Sequence, residues 1–250
     1  MTRPALRIVL LGLLAFAISL AVLWPARWMG PALPAGMRCA DWGGTLWRGR
    51  CTGLQWSMAG TAPVNIDSVQ WQLHPLVLLR GRVQADVQLA QAALQAQGRI
   101  TTGAGGRLQV ERLNAAGVLD HGLLSALPRG WSTRAELKDV AFEYVDGALR
   151  ALHGTGIARE LHDNQGTSLG DYQLQFEPQA AAPFRGQLRD LAGPLQLAAG
   201  LTLNADLGWQ LEGTASLRPG SPPSLARALD QLGGADIHGQ RRISIAGTFD

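Results

Sequence analysis

The sequence predicts a mainly β protein with one transmembrane helix at its N-terminus, and three observations lead to this prediction. Residues 8–24 form an apolar run without a charged side chain. Beyond this run, apolar and polar residues alternate along many short stretches, as they do in half-buried strands. Glycine-rich connections separate these stretches. We therefore expect a twisted antiparallel sheet or half-open barrel with one or two short helices.

The apolar run has the length and the flanking charges of a membrane helix. At about 1.5 Å per residue it spans most of a roughly 30 Å hydrocarbon core. Arg3 and Arg7 precede it, and the positive-inside bias then places residues 1–7 in the cytoplasm and the remainder in the periplasm. The competing interpretation is a cleavable signal peptide ending at Ala21, which the length of the apolar run disfavours.

The predicted organisation of the chain has four parts. A cytoplasmic N-terminus over 1–7 and a transmembrane helix over 8–24 are followed by a membrane-proximal linker over 25–43. A periplasmic β-rich domain then occupies 44–250. We expect a single domain there because a chain of 250 residues can hold one anchor and one sizeable core.

Strands are predicted wherever apolar residues recur at every second position. The longest such stretch, 201–217, is one long strand or two strands joined near Gly213. One-sided apolar strands with short connections favour antiparallel pairing, because parallel strands need long crossovers. The glycine-rich stretch 102–106 lacks the lysine and the helix of a phosphate loop and is predicted to be a hairpin turn. The other predicted strands are 64–73, 83–89, 94–100, 107–110, 135–144, 172–177 and 242–249.

Two short helices are predicted in the second half of the chain. Leucines spaced i, i+4 and i+7 predict a helix over 224–232, with Ser224 as its N-cap and Gly233 as the residue that follows its C-cap. A second, shorter helix is expected over 119–127, before Pro128. Both helices are expected to cover a face or an open end of the sheet.

The stretch 44–56 is predicted to be the first strand of the periplasmic body, with Trp47 and Cys51 on one face. Cys39 and Cys51 lie in the exported part, and an oxidising compartment allows them to pair. There is no CxxC spacing and no nearby histidine, so a structural disulfide is favoured over a redox or metal site. Two free buried thiols remain the alternative.

The sequence contains no constellation of residues that is typical of an enzyme. The five histidines form no metal-binding pair with supporting carboxylates. The arginines are scattered and Lys138 is the only lysine, which argues against a nucleic-acid partner. We therefore expect no catalytic residue, no metal and no cofactor, and the histidines are predicted to be solvated or to lie in turns.

Short motifs in chain order resemble protein N of the bacterial type II secretion system. The first is GTLW-x-G directly after the anchor, and the second is W-x-L-x-P-L followed by a strand that begins Gly-Arg. The third is similar to the closing LG-x-x-D-x-x-G-R with its short final strand, although one extra residue precedes the arginine. The residues that carry the resemblance are Gly44, Thr45, Leu46, Trp47, Gly49, Trp71, Pro75, Gly81, Gly233, Asp236, Gly239, Arg241 and Gly247.

The resemblance implies a non-enzymatic accessory subunit in the bacterial inner membrane, with a single membrane pass. In that family the suggested partners are the inner-membrane platform subunits and the outer-membrane secretin, and the machine exports folded proteins. Exposed strand edges are expected to supply the docking surface.

The alternative function is a periplasmic protein that binds or transfers lipid. An apolar β-groove would then shield an acyl chain, whereas in the accessory subunit the same side chains form core. The residues predicted to line this groove or core are Leu201, Leu203, Leu207, Trp209 and Leu211.

Overall fold

The protein is mainly β, as predicted, and contains few short helices. The computed structural model describes residues 11–13, 15–16, 19–20, 22–33, 35–57, 64–103, 105–120, 129–230 and 234–248. The chain divides into two compact units, unit 1 over 1–91 and unit 2 over 92–250. The stretch 44–250, predicted to be one domain, is thus shared between the two units.

The N-terminal part of unit 1 begins with helical turns. The predicted membrane helix over 8–24 lies partly outside the described residues, and the predicted cytoplasmic stretch 1–7 lies wholly outside them. The described residues between 11 and 22 are helical. Among the described residues, no helix is long and apolar enough to cross a membrane. A 3₁₀ helix, Ala26–Ala32, follows within the predicted linker.

Unit 1 is built from four antiparallel strands that pair in sequence order. A one-turn helix, α1, lies in the connection between the third and fourth strands. The bounds of these elements are β1 (Met37–Gly44), β2 (Arg48–Trp56), β3 (Val64–Leu73), α1 (Pro75–Leu78) and β4 (Arg82–Gln91).

The first hairpin of unit 1 corrects one predicted strand and confirms the predicted disulfide. The stretch 44–56 is not one strand, because Gly44 takes a φ of +81° and the chain reverses before β2 begins. β1 therefore lies in the stretch that was predicted to be a linker. Cys39 on β1 and Cys51 on β2 are bonded, with their Cα atoms 5.9 Å apart. The bond joins two neighbouring strands, and neither cysteine is therefore a free thiol.

Unit 2 contains nine strands that also pair antiparallel in sequence order. Its first and last strands do not pair with each other within the described residues, so this sheet is open. One helix, α2, precedes the last strand. The bounds are β5 (Leu94–Gly103), β6 (Leu108–Asp120), β7 (Ser132–Val145), β8 (Ala148–His162), β9 (Ser168–Gln179), β10 (Phe184–Ala192), β11 (Leu195–Leu203), β12 (Gly208–Leu217), α2 (Pro223–Asp230) and β13 (Arg241–Thr248).

The longest predicted strand is two strands, but the break is not where the sequence suggested. The stretch 201–217 turns between β11 and β12, where Asn204 donates its amide to the carbonyl of Gly208 at 2.8 Å. Leu207 in this turn has a φ of +65°. Gly213 instead lies inside β12, where its missing Cβ allows close approach of β11. The predicted hairpin turn between β5 and β6 is present, although residue 104 lies outside the described residues.

The helix predicted over 224–232 exists but starts one residue earlier. Because α2 begins at Pro223, Ser224 lies in its first turn and is not its N-cap. Gly233, the predicted residue after the C-cap, lies outside the described residues. The second predicted helix over 119–127 is wrong at its start, where the chain still belongs to β6. Its part from 121 onward lies outside the described residues.

The main core cluster of unit 2 lies on one face of its sheet, around a fully buried Phe184. Leu149 on β8 and Leu203 on β11 complete the buried set. Leu207 and Trp209 pack against this cluster, while Leu201 and Leu211 are cross-strand partners on β11 and β12. Of the five residues predicted to form a groove or core, Leu203, Leu207 and Trp209 thus belong to the core cluster or pack against it. Leu201 and Leu211 form the neighbouring cross-strand pair.

Candidate functional site

The GTLW-x-G motif forms the turn between β1 and β2. A Cβ at Gly44 would lie 2.4 Å from the carbonyl oxygen of Arg48, so the turn requires a residue without a side chain there. The amide of Thr45 donates to that same carbonyl at 2.9 Å, and the Thr45 hydroxyl accepts from the Arg48 amide at 3.2 Å. These bonds fix a tight four-residue reversal.

Trp71 of the second motif packs directly on Gly49 of the first. The two residues are cross-strand partners, and a Cβ at Gly49 would lie 2.2 Å from the ring atom Cζ2 of Trp71. The indole Nε1 donates to the carbonyl of Leu46 at 2.9 Å. Trp42 meets the same ring edge-on, with centroids 6.0 Å apart. The two motifs therefore form one structural unit in which a glycine makes room for an aromatic ring.

The N-terminal segment joins unit 1 at this same turn. Leu46 donates its amide to the carbonyl of Trp24 at 2.7 Å, and Pro25 forms an isolated antiparallel bridge with Thr45. On the other side, Leu73 at the end of β3 donates to the carbonyl of Trp47 at 2.8 Å. The chain leaving the N-terminal apolar run, the β1–β2 turn and the β3–β4 connection thus meet at one end of the four strands.

The β3–β4 connection carries the most exposed leucines of unit 1 among the described residues. Leu76 in α1 is 78% exposed and Leu79 is 85% exposed. Gly81 takes a φ of +68°, which lets the chain turn into β4. We call the segment 75–83 the α1 hairpin.

His74 anchors the base of the α1 hairpin. Its Nε2 lies 2.7 Å from a carboxylate oxygen of Asp86 on β4, and its amide donates to the carbonyl of Gln84 at 2.9 Å. Both side chains are partly buried. His74 is therefore a structural residue at the start of the β3–β4 connection.

The C-terminal motif forms an aspartate-centred turn ahead of β13. The carboxylate of Asp236 accepts the amides of His238 and Gln240, each at 2.8 Å. These backbone bonds, with that from Gln240 the largest cause, lower the pKa of Asp236. Gly239 in the turn has a φ of +74°.

The strand that follows this turn repeats the pairing of a glycine with an aromatic ring. Gly247 on β13 is the cross-strand partner of Trp209 on β12, and a Cβ there would lie 2.8 Å from the indole ring. Arg241 at the start of β13 forms an ion pair with Asp230 at the end of α2. The ion pair ties the helix to the last strand of unit 2.

Unit 2 also contains an apolar cavity of about 570 Å³, a size typical of small-molecule sites. Helix α2 contributes Leu225 and Leu229 to its wall, which agrees with the prediction that this helix covers the sheet. None of the five residues predicted to line a groove borders it. The lining residues are Leu119, Trp131, Thr133, Ala135, Leu137, Gly156, Ile157, Ala158, Leu161, Leu169, Tyr172, Leu174, Leu188, Leu195, Leu197, Leu225 and Leu229.

The polar groups at the cavity wall are held by the protein itself. The hydroxyl of Tyr172 donates to the carbonyl of Leu169 at 2.6 Å, and burial together with the charge of Asp190 raises the pKa of Tyr172 to about 12. The Asp190 carboxylate forms an ion pair with Arg218 and accepts the amide of Leu197 at 2.8 Å. The cavity therefore offers an incoming ligand apolar contacts and few polar ones.

The segment between β8 and β9 is a polar turn. The carboxylate of Asp163 accepts the amides of Thr167 and Gln165, each at 2.8 Å, and these bonds lower its pKa. The preceding His162 directs its Nδ1 to the carbonyl of Glu160. These polar groups hold the β8–β9 connection.

A protein-family model described as Type II secretion system (T2SS), protein N, matches residues 35–244. The chain belongs to this family. No curated protein and no solved structure matches the chain significantly. The match covers parts of both units and includes the first two motifs and the third as far as Arg241, while Gly247 lies just beyond it.

Family membership agrees with the motifs from which the resemblance was inferred. The motif residues of the β1–β2 turn come together beside Trp71, whereas Pro75 and Gly81 lie in the α1 hairpin. Those near the C-terminus form the turn at Asp236 and the pair at Gly247. Gly233 lies outside the described residues. Most of these motif residues thus serve packing and turn formation in this chain, so partner binding has to be sought on exposed features.

The α1 hairpin and the apolar cavity are the features that sequence reasoning missed. The motif around Pro75 marked this stretch only as part of the resemblance, and nothing in the sequence showed that Leu76 and Leu79 are exposed. The cavity is assembled from strands β6 to β11 and helix α2. No local pattern could have assigned those side chains to one space.

Proposed function

We propose that this protein is a non-enzymatic accessory subunit of the type II secretion machinery that links inner-membrane platform subunits to the outer-membrane secretin. Membership of the protein N family supports a role in type II secretion. The finer role is inferred from the predicted anchor over 8–24, which would hold the β body beside the inner membrane and within reach of partners in the periplasm. Binding to these partners is proposed to occur through a strand edge.

The observation that carries this proposal is the character of β13, the last strand of unit 2. Within the described residues, no strand pairs with the outer side of β13. After Arg242 its sequence contains neither a charge nor a proline, and Ile245 is 46% exposed. Natural edge strands are usually protected from pairing by inward charges, prolines or bulges. An edge without this protection is suited to accept a partner strand.

The first strand of unit 1 supports this choice by contrast. β1 carries exposed charges along its length, at Arg38 and Asp41, whereas the two arginines of β13 both lie at its start. The Cys39–Cys51 bond further ties β1 to its neighbour. β1 thus has the features of a protected edge, and β13 is the better candidate for strand addition.

The test is co-purification of the full-length protein with secretin and platform subunits from bacterial membranes. Ile245→Lys places a charge in the middle of the proposed docking edge and should reduce recovery of a partner subunit. Ile237→Lys introduces the same charge at a side chain that is 95% exposed but lies before β13, so it should leave recovery unchanged. Equal recovery with both variants would refute docking at β13, and failure of the unsubstituted chain to recover any subunit would refute the linking role.

A second candidate function is binding of an acyl chain, and the cavity in unit 2 is the observation that favours it. A volume of about 570 Å³ with an almost wholly apolar lining suits a hydrocarbon better than a polar ligand. The occupant would contact the leucines of α2 and of strands β9 to β11.

Mass spectrometry of lipids retained by the purified full-length protein tests this second function. Ala135→Trp would fill part of the cavity and should lower the amount of lipid retained per protein. Arg134→Trp on the same strand is a matched control, because Arg134 is largely exposed and does not line the cavity. An equal lipid content in both variants and in the unsubstituted chain would exclude the cavity as a lipid site.

A further inference from the structure

The α1 hairpin combines strongly exposed leucines with positive charge. Leu76 and Leu79 are 78% and 85% exposed, and Val83 at the start of β4 is 44% exposed. Arg80 and Arg82 lie between and beside them and are also exposed. The segment 75–83 contains no acidic residue. Apolar side chains that stand out beside arginines are typical of segments that lie in a membrane interface.

Backbone hydrogen bonds fix the base of the α1 hairpin. It is therefore not a loose loop in which the leucines could fold back onto the strands. Leu73 donates to the carbonyl of Trp47 at 2.8 Å, and His74 donates to the carbonyl of Gln84 at 2.9 Å. The closest acidic residue along the chain, Asp86, lies with a carboxylate oxygen 2.7 Å from Nε2 of His74. The negative charge of Asp86 therefore lies at the base of the hairpin, and the tip carries the positive charges of Arg80 and Arg82.

The hairpin emerges at the end of unit 1 that the N-terminal apolar run enters. The Trp24 carbonyl accepts the amide of Leu46, whose own carbonyl accepts the indole N–H of Trp71. Trp24 and Trp28 meet edge-on with centroids 5.5 Å apart, and Trp28 is 62% exposed. Exposed tryptophans beside an apolar run are typical of the membrane–water interface. The run and the hairpin thus approach the same end of the strands.

We propose that the α1 hairpin is a second membrane contact, which inserts Leu76 and Leu79 into the interface of a bilayer rich in anionic lipid. Arg80 and Arg82 face the negative headgroups, and the insertion depth is roughly 5–10 Å. The inference rests on the anchoring part of the proposed function and needs none of the secretion partners. Two attachment points, the apolar run and the hairpin, orient unit 1 on the membrane where a single helix would leave it free to rotate.

The experiment measures the depth of a single fluorescent label in nanodiscs that contain the full-length protein and lipid only. Leu79→Cys supplies the labelling site, because the two native cysteines are bonded to each other. Ala90→Cys, at an exposed position near the opposite end of β4 in the same unit, is the matched control. Lipids with a nitroxide near the headgroup should quench the label at position 79 strongly and the label at position 90 weakly. A nitroxide near the end of the acyl chain should quench position 79 less.

A second set of quenching measurements varies the lipid charge and the arginines of the hairpin. The Arg80→Gln and Arg82→Gln substitutions, combined with Leu79→Cys, should each lower the ratio of inserted to free hairpin about fivefold in anionic discs. They should have little effect in neutral discs, because no headgroup charge is then available. Equal quenching in both kinds of disc would overturn the role given to the arginines.

Two outcomes overturn the proposal and separate it from the proposed function. Incorporation into nanodiscs with equally weak quenching at positions 79 and 90 would refute the hairpin contact while leaving the anchor and the secretion role intact. Failure of the chain to enter nanodiscs would refute the anchor and the hairpin contact together. Loss of secretin or platform binding would not affect any of these measurements, because the discs contain no other protein.

Discussion

Substitution of Gly49 by alanine should destabilise unit 1, and the structure sets the size of the effect. The new Cβ would lie 2.2 Å from the Trp71 ring and 2.8 Å from the carbonyl oxygen of Thr45, far inside an ordinary contact of about 3.5–4.0 Å. Overpacking of this kind costs about 1–3 kcal/mol. If the ring shifts, its hydrogen bond to Leu46 is lost as well, which adds about 1 kcal/mol.

One effect acts in the opposite direction. Replacing a glycine restricts the unfolded chain and stabilises the fold by about 0.4–1 kcal/mol. The net expectation for Gly49→Ala is therefore a loss of about 2 kcal/mol in the free energy of unfolding.

Urea unfolding of the full-length protein in a fixed detergent, followed by tryptophan fluorescence, measures this loss. Gly43→Ala is the matched control on the opposing strand. The three atoms nearest to its Cβ all belong to the side chain of Arg50, with Nε at 2.8 Å, and that side chain is exposed and can rotate away. We expect a change below about 0.5 kcal/mol for the control. If Gly49→Ala and Gly43→Ala differ by less than that amount, the packing of Trp71 does not depend on Gly49.

Three further predictions concern the charge, the core and the disulfide. In a Tyr144→Phe chain, whose only phenol is Tyr172, ultraviolet titration should give a midpoint near 12. The folded pKa of Tyr172 lies above its unfolded value, so its contribution to the free energy of unfolding is complete below pH 10. That contribution falls by roughly 3 kcal/mol as the pH rises to 12. The Tyr172→Phe substitution should abolish this pH dependence. Phe184→Ala should lower the free energy of unfolding, measured in urea, by about 3–5 kcal/mol, since Phe184 is fully buried. A loss no larger than that of Ile237→Ala, at a side chain that is 95% exposed, would contradict the role of Phe184 in the core. Reduction of the Cys39–Cys51 bond should lower stability by about 3 kcal/mol, and a double serine variant should no longer respond to reductant.

Strand prediction succeeded where one face of a strand is regularly apolar and failed where the register shifts. The predicted stretch 64–73 coincides with β3, and 242–249 lies within one residue of β13. β8 was missed because its pairing with β7 and β9 is interrupted by bulges, so that apolar residues do not stay at alternate positions. β10 was missed for another reason. Its inward positions include Gly186 and Asp190, which do not look like core residues in a sequence.

Gly186 and Asp190 can face inward because of the residues that they contact on other parts of the chain. Gly186 makes room for the ring of Phe176 on β9, where a Cβ would lie 2.8 Å from the ring. Asp190 is buried as the partner of Arg218. Tertiary partners thus decide whether a polar or small residue can face inward, and that information is not present in a local window of sequence. The apolar cavity escaped prediction on the same ground, because its lining comes from segments that are far apart in the chain.

Among the described residues, three aromatic rings cover a glycine on the neighbouring strand, namely those of Trp71, Phe176 and Trp209. In each case the ring occupies the volume that a side chain would take, which explains why a strand can contain glycine without losing packing. Two of these pairs contain a glycine from the motifs that resemble protein N, Gly49 and Gly247. These glycine–ring pairs stabilise two hairpins and offer no binding chemistry, because their members are turned toward each other. The leucines of the α1 hairpin and the outer edge of β13 have the opposite character, because Leu76 and Leu79 are exposed and no strand pairs with that edge within the described residues. On physical grounds the partners of this protein, whether lipid or protein, are therefore to be sought at these exposed features and not at the packed glycines and rings.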